Sequence, residues 1–199
     1  MQNIIPNPIL SKGNKASNGR MNIEDTPVVH THSFPPIESD NSSILILGTM
    51  PGKASLQAQQ YYAHPRNAFW KIISEILGVN AENTYEVRTS SIVKARIALW
   101  DVLKSCTREG SLDSNIANDT IVLNDIASFF NNHSHIHKVY FNGAKAEILY
   151  MRHVQPSLRN CSSIEYIRLP STSPANAAIS YDQKLEAWKA IACCAQSSL

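Results

Sequence analysis

Strands and helices alternate along this chain, which predicts an α/β fold: a three-layer α/β/α sandwich around a short, mainly parallel four-stranded sheet. Three observations carry that prediction. Residues 44–47 form an unbroken aliphatic run closed by Gly48, the pattern of a strand buried on both faces. Phe69, Ile72, Ile73, Ile76 and Leu77 recur at helical spacing and stop at Gly78. Three more short strand-like stretches follow, at 97–103, 139–141 and 164–169, separated by stretches with helical signals.

Each element has its own signal. A helix is expected from Asn67 or Ala68 to Leu77. The run 97–103 reads as the second strand, interrupted by Asp101. Asn124 is placed to cap a helix holding Ile126, Phe129 and Phe130. Residues 139–141 form the third strand, closed by Asn142-Gly143, and residues 144–153 read as helix. Residues 164–169 are the fourth strand, followed by a Pro- and Ser-rich loop at 170–174. Residues 181–195 close the chain as a helix with Leu185, Trp188, Ile191 and Ala192 on one face. Residues 1–28 carry Pro, Asn, Ser and Gly with no apolar period and read as a flexible tail, leaving residues 29–199 as the functional domain. The stretch 30–37, with Pro35-Pro36, is extended.

Composition narrows the function classes. The net charge of +2 excludes a highly basic tail binder and an acidic solvating segment, and 43% hydrophobic residues are enough for a core. Residues 41–199 alone carry 15 basic and 12 acidic groups, a mild excess that permits nucleic-acid binding. No aliphatic run approaches the roughly 18 residues of a membrane span, and the start has no basic region, so the expectation is a soluble intracellular protein. Cys106, Cys161, Cys193 and Cys194 form no CxxC, so they read as reduced thiols.

In a parallel sheet ligands bind beyond the carboxyl ends of the strands. That rule directs attention to residues 48–52 (GTMPG), Asp101, Asn142 and residues 170–176. The two glycines of GTMPG let a ligand approach the backbone, though an ordinary strand-ending turn reads the same. It matches neither a phosphate-binding P-loop nor a dinucleotide fingerprint. In residues 61–70 (YYAHPRNAFW), Phe69 and Trp70 read as core. Asn67 caps a helix or presents its amide to a ligand, and the two are compatible. Asn142 reads as a turn residue or as a ligand reader. His133, His135 and His137 alternate ahead of a strand, with no carboxylate or Cys beside them to complete a metal site. Ser171 and Ser173 lack a His/Asp relay.

GTMPG, YYAHPRNAFW and the late LPSTSPANA (residues 169–177) together resemble the uracil-DNA glycosylase superfamily, and within it the hypoxanthine-DNA glycosylase (DNA-deoxyinosine glycosylase) branch. The SFPP lead-in, ALWDVLKSC, GSLDS and the FNG turn belong to the same resemblance, which spans about residues 31–199. Two departures stand out. Met50 occupies the position where mismatch-specific members place a catalytic Asn, and the 171–174 turn contains no His. The cysteine spacing does not fit the cluster-bearing branches.

The resemblance implies a DNA base-excision repair enzyme, a monofunctional glycosylase that flips a deaminated base out of the DNA and hydrolyses its N-glycosidic bond. It implies Asn67 as the residue that orients the water; Asp101, the carboxylate at the end of the second strand, is the second catalytic candidate, or else caps a local turn. Asn142 would read the base, Tyr62 would stack on it, and the backbone around Thr49, Met50 and Gly52 would meet a carbonyl or phosphate. Lys53, His64, Arg66 and Arg108 are candidate DNA contacts. So are Ser171, Ser173 and Asn176, with Pro174 or Ala175 as a small wedge. The expected partner is DNA containing a deaminated base, bound by a monomer with no cofactor, no metal and no membrane. The expected place is the cytoplasm and nucleoid, or the nucleus in a eukaryote. Rival readings are a mismatch uracil or thymine glycosylase, a non-catalytic damaged-DNA-binding module, and a magnesium-dependent nucleotide hydrolase.

Overall fold

The computed structural model describes residues 29–158 and 164–192; the N-terminal tail, Cys161, Cys193, Cys194 and the end of the expected last helix lie outside them. Strands β2 (Ile44–Gly48), β3 (Ile97–Asp101), β6 (Lys138–Asn142) and β7 (Glu165–Leu169) form a wholly parallel sheet in the order β3-β2-β6-β7. Register pairs Ile44 with both Ile97 and Lys138, and Asn142 with Leu169, so the four strands end level.

Alternation along β2 divides the core in two. Ile44 and Ile46 face one side, with Ile97, Leu99 and Tyr140. There they meet α2 (Phe69–Leu77), α3 (Tyr85–Lys94) and α6 (Tyr181–Trp188) through Phe69, Ile72, Ile73, Ile92 and Trp188. Leu45 and Leu47 face the other side, with Ala98, Val139 and Phe141. There they meet α4 (Ile126–Asn132) and α5 (Ala144–Leu149) through Ile126, Phe129, Phe130 and Leu149. Every residue of β2 is buried, which explains its uninterrupted aliphatic composition. The expected three-layer sandwich is the observed one.

The expected run 97–103 is two strands. β3 ends at Asp101, and the chain turns into β4 (Leu103–Arg108), which leaves the parallel sheet. β4 pairs antiparallel with β1 (Val29–His32) and β5 (Val122–Leu123) in a second, three-stranded sheet absent from the sequence reading. Two bonds fasten the bend to the first loop: Val102 N–H donates to the Gly48 carbonyl at 2.9 Å, and Leu103 N–H to that of Thr49 at 3.2 Å. Asn124 does not cap α4. Asp125 does, accepting from Ser128 N–H at 3.0 Å, while the Asn124 amide donates to the carbonyls of Asp101 and Leu103 at 2.8 and 3.1 Å. The carbonyls freed where the chain changes sheets need a donor, and that need outweighs the cap.

Helices α1 (Lys53–Ala58) and α3 were not anticipated. α2 starts two residues after Asn67 and stops at Gly78, whose φ of 67° is the left-handed end its sequence position requires. α5 yields to a π-helical turn at Tyr150–Val154, and α6 ends at Trp188 in a 3₁₀ turn, Lys189–Ile191. His133 closes α4, stacked on Phe129 with its Nε2 3.1 Å from Glu38, at the end of the molecule opposite the strand carboxyl ends. No helix among the described residues is long and apolar enough to cross a membrane.

Candidate active site

A cavity of about 400 Å³ opens at the carboxyl ends of β2, β3 and β6 and reaches the loop after β7. The GTMPG loop forms one wall and the 171–176 loop another. Tyr61, Tyr62, His64 and Asn67 come from the segment before α2, and Asp101 and Asn142 from the ends of β3 and β6. Residues 111–113 close the remaining side. Of the candidate residues, Arg66 does not line the cavity; it is exposed beside it, its backbone N–H donating to His64 Nδ1 at 3.1 Å. Met50 lines the cavity but is itself buried in the core, so it offers a ligand backbone rather than its thioether.

Asp101 is 3% exposed. Its Oδ2 accepts a hydrogen bond from the Ser33 hydroxyl at 2.7 Å. Burial pushes the carboxyl up to about 7, nearby Asp113 adds to the rise, and the Ser33 bond and the Arg108 cation oppose it. A Cβ placed on Gly48 would collide with Asp101 Oδ1 and lie 2.8 Å from the Tyr62 hydroxyl. Only a glycine lets the carboxyl and the phenol close together over the end of β2. That is the structural reason for the first glycine of GTMPG.

Tyr62 has a φ of 54°, a left-handed backbone uncommon for an aromatic residue. Its ring is backed by Phe69, stacked at 4.0 Å and 25°. Its hydroxyl is buried with no hydrogen-bond partner among the described residues, and burial beside Asp101 holds its ionisation well above the ordinary phenol range. A left-handed backbone and a buried polar atom without a hydrogen bond thus coincide at one residue lining the cavity.

The two amides are partly committed. Asn67 Oδ1 accepts from Phe69 N–H at 3.0 Å, at the start of α2, which leaves the Nδ2 donors to the cavity. Asn142, 8% exposed, accepts from Thr172 N–H at 2.9 Å and donates to Thr172 Oγ1 at 2.9 Å. One N–H and one carbonyl lone pair of Asn142 remain. The same bonds fix the loop after β7, as does Ala68 N–H donating to the Thr172 carbonyl at 3.0 Å. Within that loop Ser171 Oγ accepts from Ser173 N–H at 3.2 Å and Ser173 Oγ from Ala175 N–H at 3.2 Å. Asn176 Nδ2 donates to the Ser171 carbonyl at 3.1 Å. Gly143, φ 101°, lets the loop pass: a Cβ there would meet that of Ser171 at 2.8 Å.

Arg108 is not a DNA contact. It is 2% exposed, bound to the Pro51 carbonyl through Nη2 and 3.4 Å from Asp113 Oδ1 through Nη1. It props the GTMPG loop from behind. Sequence reasoning missed Ser33, Asp113 and Ser111, whose Oγ accepts from Lys53 N–H at 3.0 Å. Ser33 and Asp113 do sit in the SFPP and GSLDS segments. Their roles arise only when the small sheet folds back on the large one.

Comparison with known proteins agrees with this geometry. The family model described as the uracil DNA glycosylase superfamily matches residues 35–192. A hypoxanthine DNA glycosylase of Methanosarcina acetivorans is 36% identical over 159 residues, 79% of this chain and 95% of that protein. One of Methanosarcina barkeri is 37% identical over 118 residues, 57% and 71% of the two chains. A solution NMR structure from Methanosarcina acetivorans, described as a candidate uracil DNA glycosylase, superposes with a TM-score of 0.71 at 32% identity, covering 84% of this chain and 99% of the other. On the match across residues 35–192 and the shared fold, this chain belongs to the uracil-DNA glycosylase superfamily.

Proposed function

We infer that the protein is a monofunctional DNA glycosylase that releases hypoxanthine from deoxyinosine. The observation that carries this reading is the set of groups sharing one cavity: a free amide N–H pair on Asn67, a half-committed amide on Asn142, a backed aromatic ring on Tyr62 and the buried Asp101 carboxyl. The names of the two Methanosarcina relatives support the substrate.

Cleavage of the glycosidic bond passes through an oxocarbenium-like sugar, so the enzyme must hold a water, offset the growing positive charge and exclude bulk solvent. Asn67 Nδ2 donates to that water and orients its lone pair; an amide is too weak a base to take its proton. The Asp101 carboxylate offsets the sugar cation and receives the proton the water releases. The remaining donor and acceptor of Asn142 match the C6 carbonyl and N1–H of hypoxanthine, where adenine offers an amino group and a bare lone pair. The 171–176 loop meets phosphates through hydroxyls and N–H groups, with Pro174 and Ala175 facing the gap the base leaves. Lys53, exposed at the rim, is the lysine among the cavity residues, and no Schiff-base step is assigned to it.

The test is a labelled duplex with one deoxyinosine opposite thymine, excess enzyme in EDTA, then alkali. Strand cleavage by wild type that collapses with Asn67→Ala is the expected result. Undiminished cleavage by the mutant moves the water to Asp101, and no cleavage by wild type overturns the reading. Competition with a deoxyuridine duplex separates the uracil reading, which the description of the NMR neighbour favours.

A further inference from the structure

The loop that follows β7 is held from behind by one face of α6. Lys184 Nζ donates to the Asn176 carbonyl at 2.8 Å. One helical turn on, Trp188 Nε1 donates to the Pro170 carbonyl at 2.9 Å. The two ties grip the two ends of the loop. Its middle is tied elsewhere, Thr172 to Asn142 and to Ala68. Residues 171–176 all line the cavity, and Ser173, Pro174 and Ala175 are the stretch between Thr172 and Asn176 that neither α6, Asn142 nor Ala68 holds.

Lys184 is an expensive choice for a purely structural tie. It is 6% exposed, and none of the ion pairs among the described residues includes it. Burial disfavours its charged form. A buried cation without a carboxylate detracts from stability. Directly above it lies a loop whose expected ligand is a polyanion.

We propose that Lys184 is a positioning residue, which with Trp188 latches the 170–176 loop in the shape needed to enter duplex DNA. The proposal rests on the reading of that loop as the part that meets DNA. A rigid wedge matters where a base must be extracted from a stacked duplex and matters little where the strand is already single. The latch is therefore needed for removal of hypoxanthine from duplex and dispensable for removal from single-stranded oligonucleotide.

The experiment compares wild type, Lys184→Met and Lys184→Arg on deoxyinosine in the two contexts. Thermal melting and hydrogen exchange of the peptide covering 170–177 are measured beside them. Lys184→Met keeps the stem and removes both donor and charge, so its Tm is expected to equal or exceed that of wild type. Its kcat/KM on duplex falls by about tenfold or more, the scale of one lost charged hydrogen bond, and stays within about twofold on single strand. Exchange at Thr172, Ala175 and Asn176 accelerates. Lys184→Arg retains a donor for the Asn176 carbonyl and retains duplex activity. Equal losses on both substrates, undiminished duplex activity of Lys184→Met, or unchanged exchange would overturn the latch. So would indistinguishable duplex activity of the Met and Arg variants. A wild type inactive on deoxyinosine in either context overturns the functional reading instead, and the exchange measurement still tests the latch.

Discussion

Replacing Asp101 with Asn separates what the buried carboxyl does for the fold from what it does for the reaction. Asp101 sits 3% exposed, with its carboxyl raised from an ordinary 3.8 to about 7. A carboxyl raised on folding favours the fold while protonated. That contribution is fully present below the unfolded value and is lost as pH rises through the folded one. Because the unfolded carboxyl ionises first, the loss amounts to about 2 kcal/mol at pH 5 and levels off at about 4 kcal/mol by pH 8. Asn keeps the shape and the acceptor for Ser33 and removes the charge. The stability of Asp101→Asn relative to wild type therefore improves by about 2–3 kcal/mol from pH 5 to pH 8. Urea unfolding of both proteins at pH 5, 6.5 and 8 measures it, and titrating groups remote from Asp101 cancel in the difference. Activity moves the other way. Wild-type kcat/KM falls as pH drops below about 7, because the carboxylate is the working form. Asp101→Asn loses on the order of 100-fold or more and loses that acid limb. Parallel stability curves, or an acid limb surviving in the mutant, would refute the assignment.

Two further substitutions act on the same cavity. Ser33→Ala removes the hydrogen bond that favours the Asp101 carboxylate, so the acid limb of the pH–rate profile moves to higher pH while the rate at alkaline pH is retained. Gly143→Ala puts a side chain at φ 101° and against Ser171. It is expected to cost roughly 1–3 kcal/mol by urea unfolding and to slow single-turnover release from duplex more than from single strand.

The central layer was legible because a buried parallel strand favours apolar residues: 44–47 is an unbroken aliphatic run, 139–141 is Val-Tyr-Phe, and the edge strand at 164–169 keeps Ile164, Tyr166, Ile167 and Leu169 around two charged residues. The second sheet was not. β4 alternates Leu103, Ser105 and the thiol of Cys106 with exposed Lys104, and such a short, mixed strand has no signal of its own. α3 hid for a related reason: Ile92 is its one buried residue, and Arg88 covers Trp70 by a cation–π contact at 5.0 Å, which apolar periodicity does not register. For the cavity, motifs at strand ends marked Gly48, Asp101, Asn142 and the 171–176 loop because the carboxyl ends of a parallel sheet converge. Arg108, expected among the DNA contacts, is buried, and Ser33 and Asp113 were passed over. Ser33 reaches Asp101 and Arg108 reaches the Pro51 carbonyl across separations of 68 and 57 residues, contacts that local patterning does not register.

The strand order has a consequence for how the enzyme comes into being. β2 and β3 pair first in the chain, β6 then joins on the far side of β2, and β7 is added last at the edge, followed by α6. A chain emerging from its N terminus thus carries the GTMPG wall and the ends of β3 and β6 before it carries the 171–176 wall and the α6 side chains that hold that wall in place. The wall that completes the cavity is made after the others.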